Sequence, residues 1–80
     1  MKVAMYSLEQ TLFEGEAEKL IAHTENGVIT ILQNHIPLVT HIKGPFLDVV
    51  HRGGARTTIQ LEQAILEVRP ESEVVVLVSS

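Results

Sequence analysis

The 80-residue chain has no cysteine and no tryptophan, and only one tyrosine and two phenylalanines. Without cysteine there is neither a disulfide framework nor a thiolate metal site. Basic residues are also few: six Lys and Arg stand against ten Asp and Glu, a net charge of −4. Nucleic-acid binding wants a basic stripe and aromatic platforms for stacking, and the chain offers neither. The opening Met1 to Ser7 has no apolar run long enough for a secretory signal, and no stretch approaches the ~20 apolar residues of a membrane-spanning helix. What is present is ordinary globular material. A hydrophobic content of 45% in 8.8 kDa argues against disorder and fits one domain over residues 1–80. Its core must be thin, since so short a chain buries only about 60% of its unfolded surface.

The order of apolar residues predicts strands. Lys2 to Ser7 alternates Val3, Met5 and Ser7 against Ala4 and Tyr6. Ser7-Leu8-Glu9-Gln10 has the spacing of a helical capping box, but Gly15 arrives before a helix could pack, so a polar turn is expected. A short strand over Thr11 to Glu14 follows, with Gly15 permitting a bulge or turn. Glu16 to His23 puts Leu20 and Ala22 on one face, and Glu25-Asn26-Gly27 gives the clearest hairpin signal, because Asn-Gly accepts positive φ. Val28 to Leu32 is its partner strand. The break at Gln33-Asn34-His35 is followed by Ile36-Pro37, where Pro37 holds Ile36 extended and turns the chain without a simple hairpin. Leu38 to Ile42 and Phe46 to His51 read as two strands separated by a Gly44-Pro45 stop. Arg52-Gly53-Gly54-Ala55 is a turn into Arg56 to Leu61.

Leu61 to Val68 is ambiguous from periodicity. Leu61, Ala64, Ile65 and Val68 share a helical face, whereas a strand needs Ile65 and Glu67 to oppose Leu66 and Val68. After the Pro70-Glu71-Ser72 turn, Glu73 to Val78 is apolar on both faces, as in a strand covered on both sides. The tally is an all-β chain of about nine or ten short strands, mostly antiparallel, in a small β-sandwich.

The chemistry of a catalytic site is missing. His23, His35, His41 and His51 have no short paired spacing, and a zinc site needs three or four convergent ligands. Asp48 and His51, three apart on a strand, point to opposite faces. Gly53-Gly54-Ala55-Arg56 is no phosphate loop, because no Lys-Ser/Thr follows. Glu16, Glu18 and Glu25 read as solvated charge. No nucleophile, base and oxyanion donors assemble, no metal or cofactor is called for, and the domain is expected not to be an enzyme.

Gly27, Ile31, His35, Pro37, Leu38, Thr40, Ile42, Lys43 and Gly44, in this order and spacing, resemble the signature of the epsilon subunit of F-type ATP synthases, the delta subunit of the mitochondrial enzyme. Ser7 with Leu12-Phe13-Glu14-Gly15, and Ile65-Leu66-Glu67-Val68 with Val74-Val75-Val76-Leu77, resemble the family's first and last strands, so nearly the whole chain is covered. The resemblance favours the strand reading of Leu61 to Val68. It implies a non-catalytic rotor subunit whose sandwich sits at the foot of the gamma shaft and touches the membrane-embedded c-ring, so that proton flow turns the shaft. ATP chemistry would belong to the alpha and beta subunits, and the chain would lie peripherally at the cytoplasmic face of the inner (plasma) membrane, reaching the membrane only through the complex.

Carried over by position, Ser7, His35 and Thr40 fall on the side expected to pack against gamma, and the turn Glu25-Asn26-Gly27-Val28 on the end expected to face the c-ring. His35 is equally readable as a corner residue capping nearby backbone groups, and Ser7 and Thr40 as plain strand-surface residues. The chain departs from the family in three places. Val28 stands where many bacterial members have an acidic residue, Gln33-Asn34 replaces Pro-Gly, and Glu62-Gln63-Ala64 replaces Ser-Gly-Gly. Asn34 can adopt the left-handed backbone that Gly favours, so the turn is expected to persist. The family's two C-terminal helices are not in the sequence, which ends at Ser80, so neither inhibition by those helices nor nucleotide binding is expected. Two other readings stay open: a free-standing β-sandwich that binds a peptide or small ligand at its edges, and a metal-dependent enzyme using the histidines.

Overall fold

Alternation decides the structure of the first segment. Val3 and Met5 turn inward while Lys2 and Tyr6 face out, and Lys2–Tyr6 is strand β1 of the computed structural model, which describes residues 1–79. Among those residues seven further strands follow: β2 (Thr11–Glu16), β3 (Lys19–Thr24), β4 (Gly27–Leu32), β5 (Leu38–Val50), β6 (Arg56–Gln60), β7 (Gln63–Arg69) and β8 (Glu73–Val78). They form one sheet in the order β2-β1-β8-β7-β5-β3-β4, with β6 also on β5. The pairs are antiparallel except β1 with β8, which is parallel. The all-β, mostly antiparallel reading therefore holds, with eight strands instead of nine or ten.

The count differs because the Gly44-Pro45 stop does not stop anything. Leu38–Val50 is one strand of 13 residues. Its first half, Leu38 to Lys43, pairs with β7, and its second half, Phe46 to Val50, pairs with β6. Its other edge meets β3. At the crossover the ladder is completed by other groups: Gly44 N–H donates to Glu62 O at 2.7 Å, and Leu61 N–H donates to Pro45 O at 3.1 Å. The Gly44–Pro45 peptide is cis. Glycine is required here, because a Cβ at Gly44 would overlap the Leu61 carbonyl oxygen. The Gly-Pro pair thus marks where β5 changes partners and the sheet folds over, making one leaf of β2, β1, β8, β7 and the first half of β5, and a second of β4, β3, β6 and the second half of β5.

Side chains from both leaves make one core. Met5, Leu20, Ile31, Leu47, Leu66, Val49 and Val76 are fully buried in it. Each such burial is worth about 1.5–3 kcal/mol, which in a chain this short leaves little in reserve. Period two wins over period 3.6 in the ambiguous segment: Ala64, Leu66 and Val68 are buried and Ile65 and Glu67 face out, so β7 is a strand. Gly15 causes no turn, and β2 runs through it to Glu16; the irregularity lies instead between Met5 and Tyr6.

The turns follow their residues. In the Thr24–Gly27 reversal the positive φ falls on Gly27 alone, at 120°, and Thr24 Oγ1 accepts from Asn26 N–H at 3.1 Å and donates to Gly27 O at 2.8 Å. Gly53 and Gly54 hold φ of 90° and 96° in the turn into β6. Ser7 Oγ accepts from the backbone N–H of Glu9 and Gln10, and this is the polar turn expected between β1 and β2.

Candidate functional site

β8 departs from expectation in a way that bears on function. Among the described residues no layer covers its outward side chains. Tyr6 on β1, Leu77 on β8, Ile65 on β7 and His41 on β5 stand side by side by register, and the neighbouring row is Ala4, Val75, Glu67 and Val39. Leu77 is 54% exposed, Val39 65% and Tyr6 36%. A largely apolar strip over β1, β8 and β7, reaching β5 at His41 and Val39 and interrupted by Glu67, is the kind of surface that another protein covers. Beside it the small side of Ala4 and the bare Gly15 leave a recess of about 390 Å³, rimmed by Lys2, Glu14, Arg69 and Glu73.

The residues expected to form one contact side are spread around this face. Ser7 follows β1, and Tyr6 beside it shares the His41 row. His35 precedes β5, whose first residue Leu38 pairs with Val68 at the other end of β7. Ser7 and His35 therefore stand at diagonally opposite corners of the exposed face. Thr40 does not share that face. It lies on the inward side of β5 between Leu38 and Ile42, half-buried, opposite Leu66, with its hydroxyl donating to His41 O at 3.2 Å.

Thr40 instead borders a groove that the hairpin turn also lines. Thr24, Glu25 and Asn26 line a groove of about 860 Å³ together with Thr40, His41 and Lys43. The register explains this, because His23, just before the turn, is partnered with Lys43. His23 also stacks edge-on against Phe46, centroids 5.4 Å apart. Val28, the last residue of the expected turn segment, is on strand β4 and 59% exposed.

At the opposite end, Asn34 has φ of 61°, the left-handed geometry expected of it in place of glycine. His35 N–H donates to Leu32 O at 3.1 Å, and its Nδ1 lies 2.7 Å from Ile36 O. The corner role of His35 is thus local and real, whatever else it touches. Nearby, the Met1 ammonium donates to Ala17 O at 2.8 Å and to Gln33 Oε1 at 3.0 Å, with Glu16 Oε1 at 3.8 Å.

Asp48 and His51 are held by different partners. Asp48 accepts from Arg56 Nη1 at 3.2 Å and from Thr58 Oγ1 at 2.7 Å, while His51 Nε2 lies 2.7 Å from Thr57 Oγ1. The two do not form an acid–base pair. Among the described residues no three His, Asp or Glu side chains converge on a point that could hold a metal ion.

The outward strip of Tyr6, Ile65 and Leu77 was not singled out in the sequence, although its signal was there. A strand apolar on both faces needs two covers, and the described residues supply one.

Comparison with known proteins gives a consistent result. The family model described as "ATP synthase, Delta/Epsilon chain, beta-sandwich domain" matches residues 1–80. Among curated relatives, an ATP synthase epsilon chain from Exiguobacterium sp. is 40% identical over 60 residues, 75% of this chain and 44% of the relative. One from Ruminococcus albus is 34% identical over 79 residues, 99% of this chain and 58% of the relative. The chain thus spans about half the length of the curated relatives it matches. A structure of Euglena gracilis mitochondrial ATP synthase (OSCP/F1/c-ring) contains a chain that matches with a TM-score of 0.86 at 16% identity, over 98% of this chain and 49% of that one. A Tetrahymena thermophila mitochondrial ATP synthase structure, of the central stalk and c-ring, matches with a TM-score of 0.78 at 10% identity, over 99% of this chain and 63% of that one. At these identities the two structures speak for the fold.

Proposed function

The chain belongs to the family of ATP synthase delta/epsilon β-sandwich domains, and from that premise we propose that it is a non-catalytic component of the central stalk, fastening the gamma shaft to the c-ring so that ion flow can drive ATP synthesis. The observation that carries the reading is the uncovered apolar strip over β1, β8, β7 and β5. A protein whose work is attachment needs such a surface and no reactive groups. Gamma is the proposed cover of this strip, with Ser7 and His35 touching it at the two corners.

The Glu25-Asn26-Gly27-Val28 turn is the proposed c-ring end. Thr40 borders the groove that this turn also lines, and its proposed route to gamma runs through the His41 rim. The complex would be peripheral at the cytoplasmic face of the inner (plasma) membrane, with the alpha and beta subunits carrying the ATP chemistry.

The test is binding to the gamma subunit of the same organism, read by co-elution and calorimetry. A one-to-one complex is expected. A well-folded chain that forms no complex at micromolar concentration would sink the rotor reading and leave a β-sandwich module with some other peptide or ligand.

A further inference from the structure

Ser7 and His35 spend most of their polar groups on their own corners. The Ser7 hydroxyl accepts from the backbone N–H of Glu9 at 3.3 Å and of Gln10 at 3.2 Å, and donates to Gln10 O at 3.3 Å. A hydroxyl has one donor and two acceptor sites, so all three are taken. Ser7 N–H donates to the same Gln10 O at 2.9 Å. At the diagonal corner the His35 N–H is bound to Leu32 O, and the ring Nδ1 lies against Ile36 O. Both residues are half-buried.

What each of them holds out is the apolar residue that follows it. Leu8 is fully exposed and Ile36 is 74% exposed. The other large apolar side chains exposed among the described residues, Tyr6, Val28, Leu32, Val39 and Leu77, lie on strands, where the pleat turns every second residue outward. Leu8 and Ile36 lie on none, so no pleat accounts for them. Leu8 is in the β1–β2 turn, two residues beyond Tyr6, and Ile36 is at the β4–β5 corner, three residues before Val39. Tyr6 and Val39 belong to the uncovered strip, so the two side chains stand at its opposite ends.

We propose that Leu8 and Ile36 are the side chains that seat in gamma at these two corners, and that Ser7 and His35 are positioning residues that hold them there. The proposal rests on the stalk reading and names the side chains through which its corner contacts are made. Gamma is the occupant because both residues continue the strip assigned to it, whereas a second copy would bring a like charge of −4 to the same face. A leucine on a turn closed by hydrogen bonds is ordered before it binds, so less entropy is lost when it is buried. The two corners also do what the strip cannot. A flat apolar strip lets a partner pivot on it, and two side chains seated at opposite ends fix the angle.

The experiment is calorimetry of Leu8→Ser and Ile36→Ser against the gamma subunit of the same organism, with a melt of each variant. Neither melt should move, while each dissociation constant should rise on the order of tenfold or more. Ser7→Ala should weaken binding in the wild-type chain and add nothing in Leu8→Ser, and Ser7→Thr, which keeps the hydroxyl, should bind as wild type. His35→Ala with Ile36→Ser is the same cycle at the other corner. A wild-type chain that forms no complex removes the stalk reading and this assignment with it. A wild-type complex that either serine variant leaves at full strength overturns this assignment alone. Additive cycles would mean that Ser7 and His35 touch gamma in their own right, and a lowered melt that the two side chains support the sandwich. Self-association of the free chain that disappears with Leu8→Ser would make a second copy the occupant. Each of these three outcomes also overturns the proposal.

Discussion

Asn34 and Ser72, 38 residues apart in the chain, hold each other by two hydrogen bonds while both stand in left-handed backbone. Asn34 N–H donates to Ser72 Oγ, and that hydroxyl donates to Asn34 Oδ1, each at 3.0 Å; the φ angles are 61° and 56°. Glu71, the preceding residue, is left-handed too, at 66°. Ser72 also lends its carbonyl to Lys2 N–H at 3.0 Å. One strained pair therefore ties the β4–β5 corner, the β7–β8 turn and the start of β1. Ser72→Ala should cost about 1 kcal/mol through the lost bonds. Ser72→Gly, which loses the same bonds but relieves the left-handed backbone, should be more stable than Ser72→Ala by about 1 kcal/mol. Urea unfolding of the two variants checks the order, and equal midpoints would show that the strain is not there.

The same clasp predicts non-additivity. Asn34→Ala and Ser72→Ala remove opposite halves of one interaction, so the double variant should be less destabilised than the two singles summed, by about 0.5–1 kcal/mol. A strictly additive double-mutant cycle would mean the two residues act separately.

Gly44 predicts a larger loss. Its Cβ would collide with backbone, the Leu61 carbonyl, which cannot swing away as a side chain would. Gly44→Ala should therefore destabilise by about 2–3 kcal/mol, the range of an overpacked core site. Gly53→Ala meets open space but a φ of 90°, and should cost about 1 kcal/mol from backbone strain alone. Thermal melts of the two variants give the contrast, and a Gly44→Ala melt as mild as Gly53→Ala would mean that the crossover can open without cost.

Gln33 predicts a loss at the opposite end. Its side-chain oxygen accepts from the Met1 ammonium, a charge otherwise held by Ala17 O and the more distant Glu16. Gln33→Leu should cost about 1–2 kcal/mol, as for a hydrogen bond to a charged group. Denaturant titration measures it, and an unchanged midpoint would show that water replaces the amide freely.

The outer strip gives the prediction closest to function. Leu77→Lys or Tyr6→Glu alters side chains that touch solvent, so stability should move by no more than about 0.5 kcal/mol. Binding to gamma should weaken by about 2 kcal/mol or more, as for an anchor at the centre of an interface. Calorimetry against the same gamma subunit, beside a melt of each variant, separates the two effects. Full-strength binding by both variants would move the contact to another face.

Much of the fold was legible because it rests on local physics. The alternation of Val3 and Met5, the Asn26-Gly27 reversal, the left-handed Asn34 and the glycine pair at 53 and 54 each act within a few residues of themselves. The error at Gly44-Pro45 has the opposite origin. Whether that pair ends a strand depends on Leu61 and Glu62, which supply its hydrogen bonds from across the sheet, and no local pattern reports them. The same holds for the residues expected at a contact. Ser7 and His35 could be named one at a time as candidates, yet their diagonal placement and the inward turn of Thr40 follow from the β5–β7 register. The exposed strip was half legible: the sequence of β8 announces two apolar faces but not which partner covers the second.

The continuity of β5 has a mechanical meaning. Its first half belongs to one leaf and its second to the other, so a load on Val39 or His41 reaches Val49 and Val50 through covalent bonds instead of across a packed seam. Two stacked plates can shear past each other; a plate bent from a single strip cannot without breaking its hydrogen-bond ladders. Whatever pulls on one leaf turns the other with it, without slip, and the stiffness resides in the backbone at the fold of the sheet, where Gly44 leaves no room for a side chain.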